Sequence, residues 1–416
     1  MKPHKHVVNR PRAVCVLRPG GGQYRGQEQG LALVLTLFVV ALVTVLVLEY
    51  HFDASVEIDL AMNYASDVQA YHLALAGVRF AQALLERDSP KVDGPDDSWY
   101  KLGLVPACFS PQQLLELATA GLGEGLPTDG RDAKTALSQR VADQRLEDIS
   151  QGGAGCVSLR ITDEDSKLPI NDLRPPSGDG NQQPDQTWPS IFQKFFDSFK
   201  IDHEVVDALI EWLDTGDNPR GTSNAGKAYY QSLPIPYAPR NGPMRTPGEI
   251  RLVKGLDNVE TLAKLFPGAT PEAVADLDFG SNSYLTPFGA EQKQVPGKPA
   301  PKVKVNVNTA SPEVLRALIA GAQPAGSNSN LDGVVEDIVG KRQEKQLTKL
   351  SDAVPANLLK DLDKVADVKS NYFRIESTGV VGIVQKKIVA VLKRDSRPAN
   401  STNPAKPMTP LYFKVE

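Results

Sequence analysis

Hard oxygen atoms give this sequence its best prospect of chemistry. The run Asp214-Thr-Gly-Asp217-Asn218 follows the apolar-patterned stretch Val205–Leu213. Two carboxylates therefore fall just past a helix C-terminus, where free carbonyl groups and the negative end of the dipole favour a cation. Calcium takes ligands of this kind. Asp214 and Asp217 are candidate metal ligands, although the run lacks the full EF-hand series and also reads as a plain helix-terminating turn. Catalysis has less to draw on. After residue 30 the histidines are His51, His72 and His203, widely separated. There is no H-E-x-x-H, C-x-x-C, glycine-rich phosphate loop or G-x-S-x-G context. The neighbouring carboxylates Asp163, Glu164 and Asp165 are expected to form a solvated turn. No catalytic residues and no enzyme activity are expected.

Two further sets of residues carry alternatives. Cys15 stands near the start, with Cys108 and Cys156 in the body. If the first segment is removed, the remaining pair could form a disulfide in an oxidising compartment, or be two unrelated buried thiols. The stretch Val307-Asn-Thr-Ala-Ser-Pro-Glu-Val-Leu-Arg-Ala-Leu318 resembles the opening of helix-hairpin-helix DNA-binding modules. Those modules grip phosphate with the backbone N–H groups of a Gly-apolar-Gly hairpin, and here Gly321-Ala-Gln-Pro-Ala-Gly326 stands instead. From Lys302 to Lys345 six basic residues face five acidic ones. That balance builds no basic stripe, so nucleic-acid binding is not expected and the motif reads as a helix N-cap.

These residues must be positioned by a chain of 416 residues with 46 basic and 50 acidic side chains, a net charge of −4. The average conceals a division. Residues 1–30 carry six Lys or Arg against Glu28 alone, +5 locally, which leaves −9 for the rest. Leu31 to Leu48 then reads LALVLTLFVVALVTVLVL, 18 residues without a charge. As a helix it spans roughly 27 Å, near the hydrocarbon thickness of a bilayer. Basic residues before it and Glu49, Asp53, Glu57 and Asp59 after it favour a cytoplasmic N-terminus and an exported body. No A-x-A-like cleavage signal follows. Instead an alanine-rich stretch continues to about Arg87, where Asp88-Ser-Pro90 stops it, giving one helix of about 57 residues. Its second half, with Leu60, Val68, Tyr71, Leu75, Val78, Leu84 and Leu85, is amphipathic enough to lie against a sheet.

Arg25-Gly-Gln-Glu-Gln-Gly30 followed by Leu31-Ala-Leu-Val-Leu35 resembles a type IV pilin-like precursor. The resemblance implies that a prepilin peptidase cuts between Gly30 and Leu31 and that Leu31 is then N-methylated. Most members carry Glu at the fifth mature position, where it neutralises the N-terminal ammonium of a neighbouring subunit; here that position is Leu35. An acid with no such partner is costly in lipid, so Leu35 fits a subunit that nothing precedes. Lack of this Glu is a habit of the type II secretion minor pseudopilin K family. The resemblance continues through Leu159–Asn171, Val205–Pro219, Ala228-Tyr-Tyr230, Pro236–Pro243, Pro247–Gly255, Val305–Leu315 and Tyr372–Ile375. It implies calcium near Asp214 and Asp217, although Asn224-Ala-Gly-Lys227 replaces the acids usual before the paired tyrosines.

The expected fold class is α+β: a pilin-like long N-terminal helix packed on an antiparallel sheet, with an inserted all-helical domain. The expected organisation is a basic leader over 1–30, a membrane-spanning half of the helix over 31–48 and its second half over 49–90. A pilin-like region with an insertion follows over 91–173, the helical domain over 174–365, C-terminal strands over 366–394 and a flexible tail over 395–416. Capping boxes at Thr246-Pro-Gly-Glu249 and Asp257-Asn-Val-Glu260 and openings at Thr270-Pro271 and Ser311-Pro312 mark helices of the inserted domain. The family resemblance implies a single-pass inner-membrane protein with a periplasmic body at the tip of the secretion pseudopilus. Its implied partners are other minor pseudopilins, the inner-membrane assembly platform and the prepilin peptidase, with the secretin and secreted cargo as further contacts. The competing expectation is a signal-anchored periplasmic binding protein that never enters a filament.

Overall fold

The computed structural model describes residues 25–88, 91–103, 108–120, 155–174, 186–215, 223–267, 283–289, 303–323, 330–394 and 408–416. Helix α1 covers Arg25–Arg87, 63 residues, and so begins six residues before the expected start at Leu31. No proline interrupts Arg25–Gly30, and the helix propagates through it. Two compact units divide the chain, Met1–Ala65 and Ser66–Glu416. In the first, the described residues are all helix, with the side chains of Leu31 to Leu48 solvent-exposed.

The second unit opens with the last turns of α1. Ala70, Ala74, Val78, Ala81 and Leu85 are buried there, at spacings of three and four that put them on one helix face. The expected face is met at Val78 and Leu85, with Tyr71, Leu75 and Leu84 packed against the same core, while Leu60 is 70% and Val68 37% exposed. Small side chains take the contact because the helix lies very close to the sheet. A Cβ at Gly379 would collide with the carbonyl oxygen of Ala70, and one at Gly77 with the Ser377 hydroxyl. Glycine on each layer makes that approach possible.

The sheet under this helix has five strands in the order β1 (Cys108–Phe109), β2 (Cys156–Asp163), β7 (Tyr372–Val381), β8 (Val384–Arg394) and β9 (Met408–Val415), all antiparallel. Val157, Leu159 and Ile161 alternate inward on β2 and meet Phe373, Ile375, Ile388, Ala390 and Leu392 beneath α1. Helix α2 (Ser98–Gly103) adds Trp99, whose ring meets Phe373 edge-on at 5.2 Å. Helix α3 (Pro111–Ala120) follows β1. Strand β9 corrects the last part of the expected flexible tail over 395–416, of which 395–407 lie outside the described residues. Leu411 lies at a register shift opposite Val391 and Leu392, and that bulge accommodates Pro410 on an edge strand.

Between β2 and β7 lies the helical block. It contains α4 (Thr187–Ser198), α5 (Glu204–Leu213), α6 (Lys227–Gln231), α7 (Val259–Lys264), α8 (Pro312–Ala322), α9 (Leu331–Glu344) and α10 (Ala356–Leu362). Trp188, Ile191, Phe192, Phe195 and Phe196 on α4 share one core with Val314, Leu315, Leu318 and Ile319 on α8. The block is not all-helical. Two short parallel pairs, β3 (Leu168–Pro169) with β4 (Leu285–Thr286) and β5 (Val305–Asn306) with β6 (Ala366–Asp367), tie its start and its end to its middle. The Thr246 box opens a 3-10 turn over Pro247–Leu252, in which Glu249 accepts from the Thr246 N–H at 3.1 Å. Gly255 follows with φ +84°. The next N-cap is Asn258 rather than Asp257, its side chain accepting from the Glu260 N–H at 2.8 Å. Ser311 caps α8 with Pro312 at its first turn. The opening expected at Thr270-Pro271 lies outside the described residues.

Candidate functional site

Helix α5 carries the first acidic candidate. Val205, Val206, Ala208, Leu209, Trp212 and Leu213 bury its apolar face, which brings its C-terminal end into the block. Asp214 is the C-cap, its N–H donating to the Ile210 carbonyl at 2.9 Å, and it is 6% exposed. Glu211, one turn earlier and buried as well, was not anticipated; its place three residues before Asp214 on a short helix is the signal that points to it. Asp217 lies outside the described residues. The described donors at this helix end are hard carboxylate oxygens of the kind calcium takes.

Aromatic rings frame the same corner. Tyr230 is buried, 5.3 Å from both the Trp212 and the Tyr237 rings, and its hydroxyl accepts from the Lys254 N–H at 3.2 Å. Burial pushes the Tyr230 hydroxyl above its usual range. The Lys254 ammonium donates to the Ser223 carbonyl at 2.6 Å while lying 4.7 Å from the centre of the Tyr229 ring. A fixed cation thus secures the chain at Ser223, just before α6.

The larger concentration of charge is where the helical block meets the sheet, and it overturns the solvated turn expected at Asp163, Glu164 and Asp165. All three are buried, at 3%, 0% and 1% exposure. Glu164 is satisfied by two cations, Lys167 Nζ at 2.9 Å and Arg374 Nε at 2.6 Å, and by the Thr286 hydroxyl. Burial opposes its ionisation, but these partners hold the carboxyl down to about 2. Asp163 has neutral partners instead. Its Oδ2 accepts from the Thr309 and Ser370 hydroxyls, each at 2.5 Å, and its Oδ1 from the Asp165 N–H at 2.8 Å. Burial, outweighing these donors, raises its carboxyl to about 6.

The asparagines of the Val305–Leu315 motif are part of this junction. Asn306 donates to the Ser370 hydroxyl at 2.7 Å and to the Asp93 carbonyl at 3.0 Å. Asn308 donates to the Leu347 carbonyl at 3.0 Å and accepts the Leu347 N–H at 2.9 Å. Both side chains are buried, so their role is internal. Arg394 completes the junction from the end of β8. One of its nitrogens contacts both oxygens of Asp93, at 2.9 and 3.1 Å, and another reaches Asp88 at 3.1 Å.

The other expected site residues lie elsewhere. Gly30, Leu31 and Leu35 are in α1, with Leu31 71% and Leu35 62% exposed. Among the described residues, α1 is the one helix long and apolar enough to cross a membrane. Cys108 and Cys156 are joined as a disulfide with Cα atoms 5.3 Å apart, fastening β1 to β2 across 48 residues of chain.

Comparison with known proteins bears on these features. Residues 166–270 match the family model for type II secretion system (T2SS), protein K. This range covers β3, the first four helices of the block and the aromatic corner. Type II secretion system protein K of Aeromonas hydrophila is 27% identical over 252 residues, 58% of this chain and 67% of that protein. Its namesake in Pseudomonas aeruginosa is 25% identical over 282 residues, 66% of this chain and 71% of that protein. The crystal structure of the GspK-GspI-GspJ complex from enterotoxigenic Escherichia coli aligns with 88% of this chain and 99% of the matched chain, at 16% identity and a TM-score of 0.46. The chain is thus similar to type II secretion system protein K, through residues 166–270 in the family model and through longer stretches in the two relatives.

Proposed function

We propose that this chain is a minor pseudopilin that occupies the tip of a type II secretion pseudopilus and starts its assembly. Its α1 helix anchors it in the inner membrane with the N-terminus cytoplasmic and the body periplasmic, and prepilin peptidase releases residues 1–30. The carrying observation is Leu35, an apolar side chain on α1 where a subunit with a neighbour ahead of it needs an acid. The kinship with protein K supports the reading, as does the charge asymmetry around Leu31–Leu48. The expected partners are other minor pseudopilins, which would pack against the exposed apolar side chains of α1.

Replacing Leu35 by Glu tests this reading. In cells deleted for the native chain, Leu35→Glu should lower secretion at least tenfold, because the new carboxylate has no ammonium to neutralise. Leu35→Gln, polar but uncharged, should retain most of it. Secretion by Leu35→Glu equal to wild type would sink the tip assignment.

A further inference from the structure

The junction between sheet and helical block gathers more carboxylates than cations among the described residues. Five carboxylates face one another there: Asp88 and Asp93 after α1, Asp97 before α2, and Asp163 and Asp165 at the end of β2. Oxygens of Asp88, Asp93 and Asp97 lie within 4.8 Å of one another. Asp93, Asp163 and Asp165 are at most 3% exposed. Among the described residues three cations are buried nearby, but Lys167 and Arg374 both bond Glu164. That leaves Arg394, from β8, paired with Asp93 and Asp88.

The remaining neighbours are neutral donors. They are Asn306 and Thr309 from the helical block, Ser370 and the Asn371 N–H before β7, and the Gly94 N–H beside Asp97. Arg342 of α9 is engaged with the Val307 and Ala310 carbonyls at 2.6 Å each. Asp165 Oδ2 accepts the Asn371 N–H at 2.6 Å, while its Oδ1 has no hydrogen-bond partner among the described residues. An ionised oxygen in that setting is costly, and a bound proton removes the cost.

We propose that this junction is a proton-filled latch: protons held among Asp88, Asp97, Asp163 and Asp165 keep the helical block fastened to the sheet, and their loss loosens it. The directions of ionisation agree. Burial raises Asp165 well above the usual range, with Asp163 adding to the effect. Burial, then Asp97 and Asp93, raise Asp88 to about 7 against the opposing pull of Arg394, and burial raises Asp97. These groups bind more protons folded than unfolded. Their stabilisation is full below the unfolded carboxylate value of about 4 and is lost as pH rises through about 6 and 7. Glu164 acts in the opposite sense, but its contribution is already complete above about pH 5.

The point of attachment that should respond is Ser370-Asn371, whose N–H groups donate to Asp93 and Asp165. The experiment measures hydrogen exchange and thermal melting of the full chain in detergent micelles with EDTA, from pH 5.5 to 9. After correction for intrinsic exchange, protection of the peptide holding Ser370 and Asn371 should fall at least tenfold more than that of the α4–α8 core. Asp165→Asn keeps an acceptor for the Asn371 N–H and places a neutral amide where the proton would sit. It should flatten the response and melt above wild type at pH 9. Uniform loss of protection over the whole chain, or an Asp165→Asn profile that follows wild type across this range, overturns the proposal.

Discussion

Arg394→Met should destabilise the folded body by about 3–5 kcal/mol at pH 7, because it strips from the buried Asp93 carboxylate the only cation paired with it among the described residues. The guanidinium also reaches the Leu85 carbonyl at the end of α1 and lies 4.7 Å from the centre of the Phe373 ring. One side chain therefore ties helix, sheet and the Asp88–Asp93 turn together. Methionine fills much of the volume, so the loss is electrostatic rather than a cavity. The defect should shrink as pH is lowered toward 5, where Asp88, the other acid paired with Arg394, whose carboxyl burial raises to about 7, takes up a proton and relieves the cluster of one negative charge. A melting temperature equal to wild type at pH 7, or a defect that does not change with pH, would show that Arg394 does not hold this junction.

Gly379→Val should cost about 3 kcal/mol through overpacking. Its Cβ is driven into the Ala70 carbonyl at the contact between α1 and the middle strand of the sheet. Neither backbone has room to yield, since Gly379 is held in register by Val157 on one side and Lys386 on the other. Gly340→Ala is the control. It lies on an exposed face of α9 where a Cβ meets no heavy atom within 4 Å, and alanine there should stabilise by about 0.5–1 kcal/mol. Calorimetry of the three proteins separates a close-contact requirement from a general sensitivity to losing glycine.

How much of this could be read from the chain depends on how far each interaction reaches along it. The long helix was legible because its signal is local: eighteen residues without a charge, then alanines without proline. So were the caps at Thr246 and Ser311, whose partners are three residues away. The face that α1 presents to the sheet was legible in part: Val78 and Leu85 are in the core and Tyr71, Leu75 and Leu84 pack against it, whereas the small residues that close packing selects, Ala70, Ala74 and Ala81, were passed over. Strand β9 was hidden by Pro410, which demotes a strand unless an edge bulge receives it.

The acidic junction could not be found by pattern at all. Glu164 is 210 residues from Arg374, and Asp93 is 301 from Arg394. Adjacent carboxylates look like solvent-facing turns until the partners that bury them arrive from β7 and β8. The Asn-Thr-Ala stretch was legible as the approach to a helix N-cap, which Ser311 supplies, but not as a hydrogen-bond hub, because the acceptors of Asn306 and Asn308 come from distant segments. Asp214 was identified by its position after an apolar helix, and the burial of Glu211 beside it needed the fold.

The tip assignment rests on a processed start at Leu31 with no acid at the fifth position, and the mass of the N-terminal peptide tests it directly. Protein purified from cells with an active prepilin peptidase should begin at Leu31 and carry one added methyl group. An intact Met1–Gly30 segment in those cells, or cleavage elsewhere in the apolar helix, would contradict it.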